Sequence, residues 1–260
     1  MCTLIALHRC VDGAPLVVAA NRDEFFERPA EGPALRETPF GRIVAPRDER
    51  AGGTWLGLNA AGVFAAVTNR RCEEPDPERR SRGLLVIDAL RSERAEDAAK
   101  RFESLRAGAY NPFNLFVADR HTAHVFSYVA KPERIDLRPG PHVIGNVHPG
   151  EYTSPKITRL RREAGEAVAA PPERVLDALA DTCRSHIGVD ALGATCVHAG
   201  PYGTRSSTLL RLGGAGEGGE LHYADGAPCT REYEDFTHLL RGLGLPAGTS
   251  AGGSIVRKVS

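Results

Sequence analysis

Asp12-Gly13 stands between two short apolar runs, Thr3 to His8 and Pro15 to Ala20. Asp-Gly between such runs is a strong β-hairpin signal, because the tight turn needs left-handed backbone angles that these residues tolerate. The chain is therefore expected to open on a hairpin. Antiparallel pairing then places the start of the first strand beside the end of the second. The first begins after Cys2, and the second runs into Asn21-Arg22-Asp23-Glu24. Cys2 and this charged cluster should be neighbours in space.

The layout repeats in Thr54 to Leu58 and Val63 to Thr68, joined by an Asn59–Gly62 turn and ending at Asn69-Arg70-Arg71. After a polar, Pro-rich loop from Glu73 to Arg80, apolar spacing and Ala, Leu and Glu content predict helices over Gly83–Arg91 and Ala95–Arg106. Phe113–Ala118 and His124–Val129 read as another strand pair, and His142–Gly145 as a short strand ending at Asn146. Proline near each start marks helices over Pro155–Val168 and Pro172–Cys183. Thr208–Leu212 and Glu220–Tyr223 read as a late hairpin around the glycine run Gly213–Gly219, which lacks the Lys-Ser/Thr ending and following helix of a phosphate loop. This order of strands and helices suits an α+β fold, two antiparallel sheets between helix layers, better than alternating strand-helix units. A single domain is expected over residues 1–241, with the Gly- and Ser-rich residues 242–260 as a flexible tail.

Composition narrows the function classes. The chain of 260 residues carries 33 basic and 33 acidic side chains, so no overall field draws it to nucleic acid or an anionic membrane. The start MCTLIALHRC is broken by His8 and Arg9 and lacks a basic leader and a cleavage site, so it does not read as a signal peptide. No window approaches the roughly 20 apolar residues of a membrane span. A cytoplasmic protein with a small-molecule substrate or ligand is expected, its oligomeric state left open. The six cysteines, scattered through a chain of this size, read as reduced thiols. His121-x-x-His124 and Cys196-x-His198 are single pairs without a partner pair, so neither a metal site nor a cofactor is expected.

The chemistry is sought at Cys2. Trimming of Met1 would leave a cysteine carrying both a thiol and an α-amine, whose ordinary pKa of about 7.7–8.0 suits it to take the thiol proton. Arg22 would favour the thiolate and Asp23 would orient the ammonium or hold the arginine, although charge at strand ends also forms plain surface ion pairs. Asn69 and Asn146, each at a strand end, are neutral donors suited to a developing oxyanion, or else turn residues. Arg205 would bind a substrate carboxylate, steady the thiolate or serve structure alone.

These residues recur in an ordered set of motifs: Met1-Cys2-Thr3, Ala19-Ala20-Asn21-Arg22-Asp23-Glu24-Phe25 with Arg28-Pro29, Gly52-Gly53-Thr54-Trp55-Leu56-Gly57, Thr68-Asn69, Arg82-Gly83, Asn111-Pro112-Phe113-Asn114-Leu115, Gly145-Asn146 and Tyr202-Gly203-Thr204-Arg205-Ser206-Ser207. The set, spanning roughly residues 1 to 240, resembles the NRDE family, also called the transport and Golgi organisation type. That family in turn resembles the penicillin V acylase and bile salt hydrolase branch of N-terminal-nucleophile enzymes. The resemblance implies a four-layer αββα sandwich with Cys2 as nucleophile, Arg22 and Asp23 as its activating pair, Asn69 and Asn146 as oxyanion and amine-positioning donors, and Arg205 as a further polar contact. In the hydrolases the arginine and aspartate are usually spaced Arg-x-x-Asp, whereas here they are adjacent. The reaction expected is cleavage of a non-peptide C–N amide bond. The alternatives are a non-catalytic carrier or trafficking factor for haem or acyl-CoA, and, ranked last, a glutamine-amidotransferase half. Family roles extend to Golgi organisation, lipid metabolism and haem handling, so membership alone does not fix the reaction.

Overall fold

The computed structural model describes residues 2–151, 154–214 and 217–248. Their contacts divide into two compact units. The first comprises the described parts of Met1–Arg28, Pro139–Val143 and Tyr152–Ser260; the second comprises Pro29–Arg138 and Ile144–Glu151. Each is built on one antiparallel sheet of seven strands. With five helices among the described residues, the architecture is α+β.

In the first unit, β1 (Thr3–Val11) and β2 (Ala14–Phe25) form the expected hairpin, with Gly13 at φ +70° in the turn. β2 is longer than its apolar run suggests and carries Asn21, Arg22 and Asp23 within the strand, all buried. The charged cluster is thus an interior feature and not a surface one. The sheet runs β10 (Gly140–Ile144), β1, β2, β12 (Tyr202–Leu212), β13 (Glu220–Ala224) and β14 (Glu234–Asp235), with the short β11 (His198–Ala199) on β12. Helix α3 (Pro155–Val168) packs on β1, and α4 (Val175–Arg184) on β2 and β12. The start of α3 is set locally: Pro155 occupies the first turn and the Ser154 hydroxyl accepts the Ile157 N–H at 3.5 Å. The expected second helix resolves into a 3₁₀ turn at Pro172–Arg174 followed by α4. After α5 (His238–Gly242), residues 243–248 are tied back, Gly219 donating to the Pro246 carbonyl at 2.9 Å. Residues 249–260 of the expected tail, and 215–216 of the glycine run, lie outside the described residues.

The second unit is a meander in sequence order: β3 (Ala30–Thr38), β4 (Gly41–Asp48), β5 (Leu56–Asn59), β6 (Phe64–Asn69), β7 (Phe113–Ala118), β8 (Ala123–Tyr128) and β9 (Pro132–Leu137). The expected 54–68 hairpin is β5–β6, whereas β3, β4 and β9 are additions to the sequence reading. Helices α1 (Gly83–Ala89) and α2 (Ala95–Phe102) cover one face and end earlier than composition suggests. Their core is aromatic, with the Phe113 and Tyr128 rings stacked at 5.0 Å between centroids. Gly53 and Gly83, both in the motifs above, meet backbone to backbone. Thr54 donates to the Gly83 carbonyl at 3.2 Å, and a Cβ on Gly53 would lie 2.5 Å from the Gly83 carbonyl carbon. Gly53→Ala is therefore expected to destabilise the protein by about 1–3 kcal/mol, read as a lower urea midpoint.

Candidate active site around Cys2

The β1–β2 register pairs Thr3 with Asn21, so one step further Cys2 stands beside Arg22 and Asp23. The Cys2 Sγ lies 4.0 Å from the Asp23 carbonyl oxygen, to which it donates a long hydrogen bond. Side chains alternate along β2. Asn21 and Asp23 therefore share one face, and Arg22 and Glu24 the other. Asn21 donates to the Cys183 carbonyl at 2.9 Å and the Thr195 carbonyl at 3.0 Å, bolting β2 to the end of α4. Arg22 pairs with Glu24 at 3.9 Å, and Glu24 also lies 3.9 Å from Arg28.

Asp23 is held from β12. Its Oδ1 accepts from the Thr204 hydroxyl at 2.7 Å, and its carbonyl accepts from the Tyr202 hydroxyl at 3.1 Å. Burial raises the carboxyl from an ordinary 3.8 to about 6, against the pull of the chain's terminal ammonium, Lys156 and the Thr204 hydrogen bond. Burial also raises the Cys2 thiol; the terminal ammonium opposes that rise, and Asp23 adds to it. The Arg22 guanidinium also favours the thiolate. The resting thiol is protonated at neutral pH and needs a base.

Lys156 joins this group although the sequence reading passed over it. It sits in the first turn of α3, where a cation gains nothing from the helix dipole. Its Nζ is shut off from solvent and makes no hydrogen bond among the described residues. Burial lowers its pKa, while Asp23, Cys2 and Asp190 draw it back up. Lys156→Met is expected to push the Asp23 carboxyl above about 6, by up to about one pH unit. A carboxyl-carbon NMR titration reads this directly.

Tyr202 and Thr204 were likewise unassigned, although the motif Tyr202-Gly203-Thr204-Arg205 carried them. Gly203 between them is required by close approach, since a Cβ there would lie 2.5 Å from the Val197 carbonyl oxygen. Arg205 falls where the β2–β12 register slips, and its guanidinium pairs with Asp225 at 2.8 Å. Asn69 and Asn146 belong to the second unit, where the Asn146 amide donates to the Asn69 carbonyl and the Asn146 carbonyl accepts from the Arg71 N–H at 3.2 Å. Cys196-x-His198, read as a single pair, is joined in space by His186 and Cys229. All six thiols are free.

The model of the family described as Transport and Golgi organisation 2 matches residues 1–218. The chain belongs to that family. Among its relatives, the mouse Transport and Golgi organization 2 homolog is 30% identical over 224 residues, covering 75% of this chain and 81% of the relative. The human homolog is 31% identical with the same coverage. Solved structures add a likeness of fold to two hydrolases. The Caenorhabditis elegans N-acylethanolamine-hydrolyzing acid amidase ortholog superposes with a TM-score of 0.55 at 11% identity, covering 80% of this chain and 92% of that one. The C2A variant of the conjugated bile acid hydrolase from Clostridium perfringens gives 0.51 at 13%, covering 92% and 93%. At such identity the likeness establishes the fold alone, which this chain shares with those hydrolases. No helix among the described residues is long and apolar enough to cross a membrane.

Proposed function

We propose that this chain is an N-terminal-cysteine hydrolase acting on a non-peptide C–N amide bond of a small molecule. The observation that carries the reading is the Cys2 thiol at the backbone of a buried Asp23, with the terminal ammonium and Lys156 acting on both residues. Removal of Met1 moves the ammonium onto Cys2 itself, beside the Asp23 carboxylate. The free amine then takes the thiol proton, and Sγ attacks the amide carbonyl carbon. The C–N bond breaks as the proton passes to the leaving nitrogen. Water hydrolyses the thioester, releasing a carboxylic acid and restoring the thiol. In this cycle Asp23 orients the amine, Thr204 and Tyr202 fix Asp23, and Lys156 keeps the carboxylate ionised.

Two fold neighbours lend support, since one is titled an amidase of N-acylethanolamines and the other a hydrolase of conjugated bile acids. Acyl amides are accordingly the substrates to try first. Brief acid quenching of the processed chain with an acyl-amide panel should trap a thioester on the Cys2 peptide, read as added acyl mass. Absence of any acylation, together with visible haem absorbance of the purified protein, would replace this reading with a carrier.

A further inference from the structure

Away from Cys2, four side chains from three separate segments converge: His186 just after α4, Cys196 and His198 at and before β11, and Cys229 in the turn between β13 and β14. One nitrogen or sulfur atom from each lies within 4.8 Å of all the others. Cys196 Sγ is 3.5 Å from Cys229 Sγ and 3.6 Å from His198 Nε2, and His198 Nε2 is 3.1 Å from Cys229 Sγ. The His186 and His198 rings meet edge to face at 5.1 Å. Ideal tetrahedral zinc, with Zn–S of about 2.3 Å and Zn–N of about 2.0–2.1 Å, sets S···S, S···N and N···N edges of about 3.8, 3.6 and 3.3 Å. The two separations from Cys196 Sγ fall within about 0.3 Å of those edges, and the His198–Cys229 one is about 0.5 Å shorter. We propose that His186, Cys196, His198 and Cys229 form a structural Zn²⁺ site.

The donor chemistry selects the ion. Two thiolates and two neutral imidazoles suit zinc, and hard cations such as magnesium or calcium prefer oxygen. Binding releases two thiol protons, so the cluster is neutral overall and costs little to bury. Four protein ligands fill a tetrahedral shell, which leaves no open position for a substrate and assigns a structural role.

The ligands sit on fixed backbone. The Cys196 N–H donates to the Ser185 carbonyl at 2.9 Å, and the Cys229 turn is closed by Thr230 and Arg231 donating to the Ala227 carbonyl at 3.0 and 2.9 Å. Arg184 reaches the Pro228 carbonyl at 3.2 Å. Val197, between the two central ligands, donates its N–H to the Thr204 hydroxyl at 2.8 Å, and that hydroxyl holds Asp23. The zinc therefore braces the segment behind Thr204, independently of whether Cys2 turns over an amide.

The test is zinc content by plasma mass spectrometry, on the full chain purified under reducing conditions from zinc-supplemented cells and compared with Cys229→Ser. One zinc per chain is expected, falling about tenfold or more in the variant. Replacement by Co²⁺ should give tetrahedral visible bands and a thiolate-to-cobalt charge-transfer band, both lost with Cys229→Ser. Should that variant fail to fold, His186→Ala at an exposed ligand should weaken Co²⁺ binding about tenfold or more with an unchanged circular dichroism spectrum. Metal-free wild type after reconstitution, equal zinc in wild type and Cys229→Ser, or a Cys196–Cys229 disulfide in place of metal would each overturn the proposal.

Discussion

The Cys2→Ala variant folds like its parent and loses amide turnover by about a thousandfold or more. The expected loss is large because the sulfur is the only atom proposed to bond to substrate, and removing a nucleophile leaves only binding and positioning. The expected cost in stability is small for a structural reason. Cys2 precedes β1, and its thiol, although shielded from solvent, makes one long hydrogen bond at 4.0 Å among the described residues. Losing that contact costs under about 1 kcal/mol. Steady-state rates on an acyl amide, with urea unfolding of both proteins, separate the two effects. A variant that keeps its rate would remove Cys2 from the mechanism, and one that unfolds would make Cys2 a packing residue.

Asp23 dominates a second expected result, a stability that falls as pH rises. Its folded carboxyl titrates at about 6 and its unfolded one near 3.8, so between these values the folded state binds more protons. Stability changes with pH in proportion to the protons bound by the unfolded state minus those bound by the folded state. That difference is negative here. The Asp23 contribution is therefore most favourable below about pH 4, declines through the window to about pH 6 and is level above it. The interval corresponds to about 3 kcal/mol. Other carboxyls slope the opposite way, among them Glu96 and Asp136, which Arg134 holds below their ordinary values. The comparison that isolates Asp23 is thus wild type against Asp23→Asn, whose amide oxygen can still accept from Thr204. The difference in unfolding free energy between the two should shift by about 2 kcal/mol in favour of the variant from pH 4 to pH 7. A constant difference would mean that the carboxylate is not desolvated.

The proximity of Cys2 to Asp23 was legible because antiparallel pairing about a two-residue turn brings the far ends of a hairpin together; the irregularity between His8 and Val11 moves the register by one residue, which decides that Cys2 falls opposite Arg22. The strands that escaped notice have a physical reason in common. β3 and β9 are the two edges of the second sheet, and their sequences, with charges and prolines among few apolar residues, keep an open edge from pairing with another chain. β4 buries Ile43, Val44 and Ala45 as its only compact apolar run, too short to signal a strand. β2 outran its apolar run because Asn21 and Asp23 are held by partners from α4, the Thr195 segment and β12, which no local pattern announces. Lys156 was hidden for the same reason, since its meaning depends on where α3 lands on β1. Cys196 and His198 showed half of a ligand set, and His186 and Cys229 arrive only when α4 and the β13–β14 turn close around β11.

The central claim, a Cys2 that has become the first residue and is poised to react, is tested most directly by intact mass before and after a brief, dilute iodoacetamide pulse near neutral pH, with peptide mapping. The proposed mechanism predicts loss of the Met1 mass and selective labelling of Cys2 over the other five thiols. Retained Met1, or a Cys2 no more reactive than exposed Cys72, would contradict it.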